Sequence, residues 1–300
     1  MNQKAKNFSL VFLIIAAVVF GAYLLNYQKT FLVVQDNKSA ISDDRVTFLL
    51  LGKTGKVIGW NMSPDLTDTI ILVDYRPKIG ALNLISLPRD LFVNVDGENF
   101  KLNEVAKRNK IPDFLKQLPQ ITGLDTDKYM VIDLDLLKSA VDDLGGIDVK
   151  LNSAAVDWAS GYKIEAGEQH LDGEQAAWLV RNRYAPNGDF YRENNQHEVI
   201  QALMDKFRGL NALDKARFIF NMTPELGKLE TNVNFQEFVP LIQDIKNPRF
   251  NNVVLDFSTG LVMSSSTPVS VSSSQYILLP TAGEGNYLNI KTYIQSKLEK

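Results

Sequence analysis

VTFLLLG, at Val46–Gly52, is the stretch of sequence on which the fold depends. It is a short apolar run ended by a glycine, a pattern typical of a strand that is buried on both faces of a sheet. The runs Ile70–Val73 and Leu82–Leu87 have the same character. Helical patterns alternate with such runs over residues 46–300, which predicts one α/β domain. We therefore expect a three-layer α/β/α sandwich with a central mixed sheet.

The same patterns predict the remaining elements. Further strands are expected at Phe92–Val95, Tyr129–Ile132, Ile147–Leu151, Val253–Phe257 and Tyr276–Leu279. Helices are expected at Leu134–Leu144, Asp172–Val180, Phe190–Arg208, Phe235–Ile245 and Tyr287–Leu298. Asp172 is the expected N-cap of its helix. The serine-rich stretch Ser264–Ser274 is predicted to be a mobile loop.

The composition excludes several classes of protein. Of the 300 residues, 45% are hydrophobic and 22% are charged, which is a globular composition and rules out a disordered chain or a collagen. The chain has no cysteine, so a disulfide framework, a thiolate zinc site and a cysteine nucleophile are excluded. The formal net charge of −3 argues against nucleic acid as the main partner, because phosphate binding needs a basic surface.

The N-terminal part of the chain contains an uncharged apolar segment, Phe8–Leu25. As a helix its 18 residues would span about 27 Å, close to the hydrocarbon core of a bilayer, so a single transmembrane helix is predicted. Lys4 and Lys6 precede the segment, and the positive-inside rule places residues 1–7 in the cytoplasm and the rest of the chain outside. Residues 26–45 are expected to be a spacer. A cleaved signal peptide is the alternative interpretation.

Three arginines are spaced in a way that could form an anion site. Arg181 and Arg183 would project to the same side of an extended segment. Arg192 opens the next helix, and Gln196 lies one turn further on the same face. Together with the N–H groups of a helix N-terminus, these side chains suit a phosphate or a pyrophosphate. Solvated surface arginines that pair with Asp189 and Glu193 are the alternative.

Two aspartates are expected near one edge of the predicted sheet. Asp68 immediately precedes a strand, and Asp90 follows Arg89 in a turn forced by Pro88. Paired carboxylates together with phosphate oxygens are a usual way of holding Mg²⁺. An aspartate at either place is also a common turn residue, so the pairing alone leaves both interpretations open.

Other motifs are incomplete. GKT at Gly52–Thr54 follows a strand, but Thr47 stands where a phosphate-binding P-loop needs glycine, and no helix pattern follows. The sequence has no G-x-S-x-G elbow. His170 and His197 lack neighbours that would make a hydrolase base or a zinc site, and both are predicted to be surface residues.

Eight segments, taken in order, resemble the LytR-CpsA-Psr family of bacterial membrane-anchored proteins, most closely over residues 46–207. The segments are FLLLG (Phe48–Gly52), TDTIILV (Thr67–Val73), LISLPRDLFV (Leu84–Val93), KLNEVA (Lys101–Ala106), YMVIDL (Tyr129–Leu134), VDDLGGIDV (Val141–Val149), LDGEQAAWLVRNR (Leu171–Arg183) and DFYRENNQ (Asp189–Gln196). The resemblance implies an α/β/α sandwich that moves a glycopolymer phosphate from a polyprenyl-pyrophosphate carrier to peptidoglycan or a similar acceptor. It also implies Mg²⁺ as a cofactor and a place on the outer side of the cell membrane.

The resemblance also implies roles for individual residues. The positions that match pyrophosphate-binding residues of the family are Arg89, Lys101, Arg181, Arg183, Arg192 and Gln196. Asp68 matches a metal-binding carboxylate, and Asp90 is the companion acid in Pro-Arg-Asp. The implied catalytic residues are therefore Arg89, Asp90 and Asp68.

The chain departs from the family pattern at three places. Lys53 and Thr54 occupy the neighbourhood where members usually have an acid, Leu66 stands where they have an arginine, and Asn195 replaces the second arginine of R-x-x-R-Q. Each lost charge-assisted contact could weaken binding by roughly 1.5–3 kcal/mol. A lipid-glycan binding protein without catalysis, or a lipid pyrophosphatase, is therefore an alternative function.

Overall fold

The computed structural model describes residues 41–42, 45–53, 63–158, 160–184, 188–226, 229–233, 248–270 and 273–298. Within these ranges, no helix is long and apolar enough to cross a membrane. The predicted transmembrane helix 8–25 and the predicted helix Phe235–Ile245 lie outside the described residues, as does nearly all of the predicted spacer 26–45.

Strands and helices alternate along the chain. The strands are β1 (Ile41–Ser42), β2 (Arg45–Lys53), β3 (Thr67–Arg76), β4 (Ala81–Ser86), β5 (Phe92–Val95), β6 (Glu98–Lys101), β7 (Tyr129–Ile132), β8 (Ile147–Leu151), β9 (Ala155–Val156), β10 (Lys163–Ile164), β11 (Gly167–Leu171), β12 (Glu230–Thr231), β13 (Arg249–Val254), β14 (Val262–Ser270) and β15 (Ser273–Pro280). The helices are α1 (Ile111–Thr122), α2 (Leu134–Asp143), α3 (Gly173–Leu179), α4 (Asp189–Gly209), α5 (Ala212–Leu226) and α6 (Leu288–Leu298).

The residues that the structure describes fold into two compact units, and the ranges below refer to those residues only. The sheet unit consists of Thr47–Asp74, Asn83–Asp133 and Asn251–Lys300. The helical unit consists of the described residues within 41–46, Tyr75–Leu82 and Leu134–Phe250.

The main sheet is built around β2. In the sheet unit the strands lie in the order β7, β2, β3, β4, β13. β2 pairs with β7 in parallel, with Leu49 opposite Tyr129, and near its start it pairs with β1 in the antiparallel sense. Phe48, Leu49 and Leu51 are completely buried, as expected for a strand covered on both faces. The predictions of a mixed α/β fold and of a central mixed sheet are confirmed, whereas the three-layer arrangement stays a prediction.

A polar network lies inside this sheet. The Asn83 amide donates to Asp74 Oδ2 at 2.8 Å, and the Asn251 amide donates to Asn83 Oδ1 at 2.8 Å. The Asn251 amide also donates to the Lys297 carbonyl at the end of α6, at 3.0 Å. These bonds join β3, β4, β13 and α6, so the buried amides are hydrogen-bonded rather than stranded.

Two predicted elements differ from the structure. The predicted loop Ser264–Ser274 is strand over its described residues: β14 up to Ser270 and β15 from Ser273 form an antiparallel ribbon, with Ser264 opposite Leu278. Serine is weak as a strand former, but here the partner strand supplies the backbone hydrogen bonds. The strand expected at Val253–Phe257 is β13, which ends at Val254, because Asp256 caps a short 3₁₀ turn by accepting from the Thr259 N–H.

The helical unit is organised around α4. The antiparallel pair β8 and β11 aligns Ile147 with Leu171, and β8 packs against α4. α2 packs against both α3 and α5. α4 also packs against α3, and eleven of its 21 residues are buried, several of them polar.

Candidate functional site

Four charged side chains form a network in the sheet unit, which we call the acid–base network: Asp68, Arg89, Asp90 and Lys101. Arg89 Nη1 lies 2.9 Å from Asp68 Oδ2, and Arg89 Nε lies 3.5 Å from Asp90 Oδ2. Lys101 Nζ donates to Asp90 Oδ1 at 2.6 Å. The structure thus brings together all four residues that the sequence singled out in this part of the chain.

Backbone hydrogen bonds hold the turn that carries Arg89 and Asp90. The Arg89 carbonyl accepts from Asn103 N at 2.9 Å, and the Asp90 carbonyl accepts from Leu278 N at 2.8 Å. The Leu91 N–H donates to the Pro88 carbonyl at 3.0 Å, which closes the turn after β4. The two side chains therefore start from a fixed main chain, and an anion would find them already oriented.

The acid–base network is nearly dry and internally neutral. Each of its four side chains is less than a fifth exposed. Two carboxylates face two cations, so a phosphate that binds Arg89 and Lys101 has to compete with Asp68 and Asp90. Charge-assisted bonds of this kind are stronger than neutral ones.

Asp68 fits a metal ion only as one ligand among several. No group of three or more His, Asp or Glu side chains that could hold a metal ion is found in the part of the chain that the structure describes. Mg²⁺ is commonly held by one or two carboxylates together with substrate phosphates and water. The donor set is therefore suited to an ion shared with a phosphate, rather than to a site built from protein alone.

In the helical unit, Arg181 and Arg183 follow the end of α3. α3 begins with a capping box in which the Asp172 side chain accepts from Gln175 N, as predicted for the N-cap. Arg181 lies in the turn that ends the helix: its N–H donates to Trp178 O at 3.1 Å, and its Nε donates to Ala177 O at 3.0 Å. The expectation of an extended segment at Arg181 is therefore wrong, because the helical turn continues through it.

Burial shifts the electrostatics of Arg181. Desolvation lowers the pKa of its guanidinium, and nearby Glu174 opposes that change. Arginine remains protonated at neutral pH. Because burial removes part of the water around this cation, Arg181 favours an anionic ligand.

Arg183 and Arg192 approach the same carboxylate. Arg192 Nη1 donates to Asp189 Oδ1 at 3.0 Å, and Arg183 Nη1 lies 4.0 Å from that oxygen. The Arg192 side chain is only 3% exposed, whereas that of Arg183 is 35% exposed. The alternative interpretation is therefore wrong about solvent exposure for Arg192. It is right that Arg192 pairs with Asp189.

Gln196 connects α4 to residues Arg181–Arg183, which we call the arginine segment. Its Nε2 donates to the Val180 carbonyl at 3.2 Å, directly before Arg181. Its Oε1 and the Nδ2 of Asn195 are buried and have no hydrogen-bond partner among the described residues. Unsatisfied buried polar atoms are costly, and they often mark a place where a ligand or water binds.

The prediction of a surface position holds for His170 and is wrong for His197. His170 is exposed, and its Nδ1 lies 2.6 Å from Asp148 Oδ1. His197 is completely buried, and desolvation lowers its pKa to about 4. The apolar pattern of α4 is weak, so the sequence did not show that this helix is surrounded by protein.

The residues that depart from the family pattern are only partly described. Lys53 Nζ lies 3.9 Å from Asp65 Oδ1. Leu66 is half-buried directly before β3, and Thr54 lies outside the described residues. Asn195 is buried beside the other polar residues of α4.

The fold, the acid–base network and the side chains of Arg181, Arg183 and Arg192 define a class of protein. It is a mixed α/β protein with clustered cations suited to phosphate. The model of the LytR_cpsA_psr family matches residues 25–261. The chain belongs to the LytR-CpsA-Psr family, as the eight segments indicated.

Curated relatives carry transferase names. The chain is 28% identical to the polyisoprenyl-teichoic acid–peptidoglycan teichoic acid transferase TagV of Bacillus subtilis, over 59% of this chain and 47% of TagV. It is 27% identical to the transferase TagU of Enterococcus faecalis, over 82% of this chain and 86% of TagU. The match thus spans about half of TagV and most of that TagU.

Solved structures share the fold. One is TagT with bound octaprenyl pyrophosphate lipid, a LytR-CPS2A-psr family protein. It is 18% identical to this chain, with a TM-score of 0.58 and coverage of 89% of this chain and 95% of TagT. At this level of identity the likeness supports the fold alone.

Proposed function

We propose that this chain is a phosphotransferase that moves a glycopolymer phosphate from a polyprenyl-pyrophosphate carrier to peptidoglycan or another cell-surface acceptor. Membership of the family and the names of TagV and TagU support this function. The observation that carries it is the acid–base network, in which Arg89 lies between Asp68 and Asp90.

The reaction exchanges one phosphoryl acceptor for another. A hydroxyl oxygen of the acceptor glycan forms a bond to the phosphorus that carries the glycopolymer. The bond from that phosphorus to the bridging oxygen breaks, and polyprenyl phosphate leaves with the bridging oxygen. The hydroxyl proton passes to solvent or to a carboxylate. Catalysis of this kind depends mainly on positioning and on neutralising charge on the phosphate oxygens.

In the sheet unit, Arg89 and Lys101 bind phosphate oxygens and Asp90 positions both. The two carboxylate oxygens of Asp90 each lie against a cation, one from Lys101 and one from Arg89. This supports an orienting role for Asp90 over that of a proton acceptor. Asp68 is the residue that would hold Mg²⁺, which would neutralise part of the phosphate charge when bound.

In the helical unit, Arg181, Arg183 and Arg192 are proposed to bind phosphate oxygens. Arg183 is the most exposed of them, and Arg192 is held by Asp189. Gln196 is proposed to act through Val180, whose carbonyl it holds, and so to fix the start of the arginine segment.

We also propose that Phe8–Leu25 anchors the chain in the cell membrane, with residues 46–300 on the extracytoplasmic side. The apolar, uncharged composition of the segment and the lysines before it support this location.

The test uses the full chain in detergent with a labelled lipid-pyrophosphate oligosaccharide, Mg²⁺ and a peptidoglycan fragment. Label is expected to become covalently attached to the fragment, and chelation of divalent ions is expected to stop the transfer. Arg89→Ala and Arg181→Ala are expected to lower kcat/KM by about 10²–10³-fold, the range for loss of one charge-stabilising donor. Arg217→Ala, which removes an exposed arginine paired with Asp214, is the matched control.

Other outcomes point to the alternatives. Release of lipid phosphate without label on the fragment identifies a pyrophosphatase. Tight binding without any reaction identifies a lipid-glycan binding protein, which Leu66 and Asn195 favour because each replaces a family arginine. Loss of the fold in Arg181→Ala, seen by circular dichroism, contradicts the assignment of that residue to substrate.

A further inference from the structure

A hairpin of the helical unit exposes aromatic rings. β9 and β10 are joined by a loop that the Asp157 N–H closes by donating to the Tyr162 carbonyl at 2.8 Å. In this loop, 78% of the surface of Trp158 and 39% of that of Tyr162 are exposed. Large aromatic side chains that are left in water at one place commonly mark a binding surface.

The hairpin is braced rather than loose. The Tyr162 ring packs edge-on against Trp178 of α3, with ring centroids 4.7 Å apart. The Asp157 carboxylate accepts from the Ser160 hydroxyl at 2.7 Å, which fixes the loop from inside. A ligand that stacks on the Tyr162 ring therefore meets a side chain that is already positioned.

The same surface continues into the arginine segment. The buried side chain of Asn182 links the hairpin to the arginine segment. Its Nδ2 donates to the Val156 carbonyl at 3.3 Å, and its Oδ1 accepts from Tyr184 N at 3.1 Å. Tyr184, which follows Arg183 directly, is also exposed. The aromatic rings and the arginines are thus parts of one connected stretch of the helical unit.

The hairpin's own charged side chains are nearly balanced, in contrast to the cationic arginine segment beside it. Lys163 of the hairpin is paired with Glu165 at 2.7 Å. Asp157 adds a further acid. With its lysine paired, the hairpin itself offers little attraction to an anionic membrane. Pyranose rings, whose C–H faces stack on aromatic rings and whose hydroxyls bond to carboxylates, fit both properties.

We propose that Trp158, Tyr162 and Tyr184 form a glycan-binding surface for the acceptor, a neutral chain of pyranose sugars. The proposal rests on the proposed function, because that function requires a sugar hydroxyl as the acceptor. It assigns the hairpin to acceptor binding and leaves donor binding to the charged residues.

The first test measures binding of chitotetraose, a neutral N-acetylglucosamine tetramer, to the full chain in detergent by calorimetry. Trp158→Ala is expected to weaken binding about tenfold, as for a central aromatic contact. Phe220→Ala is the matched control, because Phe220 on α5 in the same unit is 77% exposed and is expected to leave the affinity unchanged. Equal affinity of Trp158→Ala and the unaltered chain would overturn the proposal.

The second test separates acceptor from donor. In the transfer assay, Trp158→Ala is expected to raise the KM for the peptidoglycan fragment about tenfold while the KM for the lipid-linked donor stays constant. A change confined to the donor KM overturns the proposal. If the unaltered chain transfers nothing but binds chitotetraose through Trp158, the glycan-binding surface stands and the proposed transferase function fails.

A membrane contact is the rival use of exposed aromatic rings. The full chain in nanodiscs of brominated phosphatidylglycerol tests it, since bromine quenches a tryptophan that enters the lipid. Emission from Trp158, obtained as the difference from Trp158→Phe, is expected to remain unquenched. Quenching of that emission assigns the hairpin to the membrane and overturns the proposal.

Discussion

The acid–base network shows how single residues set the chemistry. Arg89 contacts Asp68 and Asp90, so its guanidinium is oriented before any phosphate arrives. Lys101 comes from a different strand end and reaches the same Asp90. Because all four side chains are mostly buried, their mutual attraction is little screened by water or salt. Under the proposed function, the network would exchange these ion pairs for contacts with phosphate, rather than assemble from solvated side chains.

His197 is expected to make the protein less stable at mildly acidic pH. Burial lowers its pKa from 6.5 to about 4, so the unfolded chain binds a proton in this range that the folded chain does not. The free energy of unfolding should therefore fall as the pH drops from about 6.5 toward 4, by up to about 3 kcal/mol. Urea denaturation at a series of pH values measures this.

Two variants control the pH experiment. His197→Gln removes the titrating group and is expected to abolish its share of the pH dependence. His170→Gln removes an exposed histidine and is expected to retain the loss of stability between pH 6.5 and 4. A pH profile that is unchanged in His197→Gln would contradict the assignment.

Sequence reasoning identified residue types better than it identified their surroundings. Asp68, Arg89, Asp90 and Lys101 were predicted to act together, and the structure joins them. The spacing could not show that Arg192 is buried, because burial depends on elements far away in the chain that pack around α4.

Elements with a clear period were predicted well. The strands Phe92–Val95, Tyr129–Ile132 and Ile147–Leu151 have the predicted bounds. The helices α1 and α5 were missed, since each contains an internal proline that usually argues against a helix. The packing of these helices within their units supplies stabilisation that local propensity does not register.

Gly173, the first residue of α3, lies directly against α2. Its N–H donates to Asp142 Oδ1 at 2.7 Å, and a β-carbon added there would lie 2.5 Å from the Lys138 carbonyl oxygen. Because a backbone oxygen cannot move aside easily, Gly173→Ala is expected to lower the free energy of unfolding by about 1–3 kcal/mol. Urea denaturation measures the change.

Gly209, at the end of α4, gives the matched control. A β-carbon there meets nothing within 4 Å. Gly209→Ala is therefore expected to leave stability unchanged or to raise it by up to about 1 kcal/mol, through the better helix propensity of alanine. Equal effects of the two substitutions would show that contact with Lys138 does not decide the cost.

At the scale of the whole molecule, local patterns could not give the division into two units. The boundaries cut through runs that look continuous in sequence, such as Tyr75–Leu82, which belongs to the helical unit between two segments of the sheet unit. Such a division depends on which distant segments pack together. The resemblance to the family was recognised over residues 46–207. The family model matches a longer range, residues 25–261.

The proposed location of the whole chain predicts which side of the membrane its C-terminus occupies. Alkaline phosphatase, which is active only outside the cytoplasm, is expected to be active when fused after Lys300, and β-galactosidase fused there is expected to be inactive. The reason is the bias of Lys4 and Lys6 on the cytoplasmic side of Phe8–Leu25. Replacing both lysines by glutamate removes that bias, so it is expected to reduce the phosphatase activity. An active β-galactosidase fusion contradicts the location, and release of the phosphatase fusion from membranes identifies a cleaved signal peptide instead.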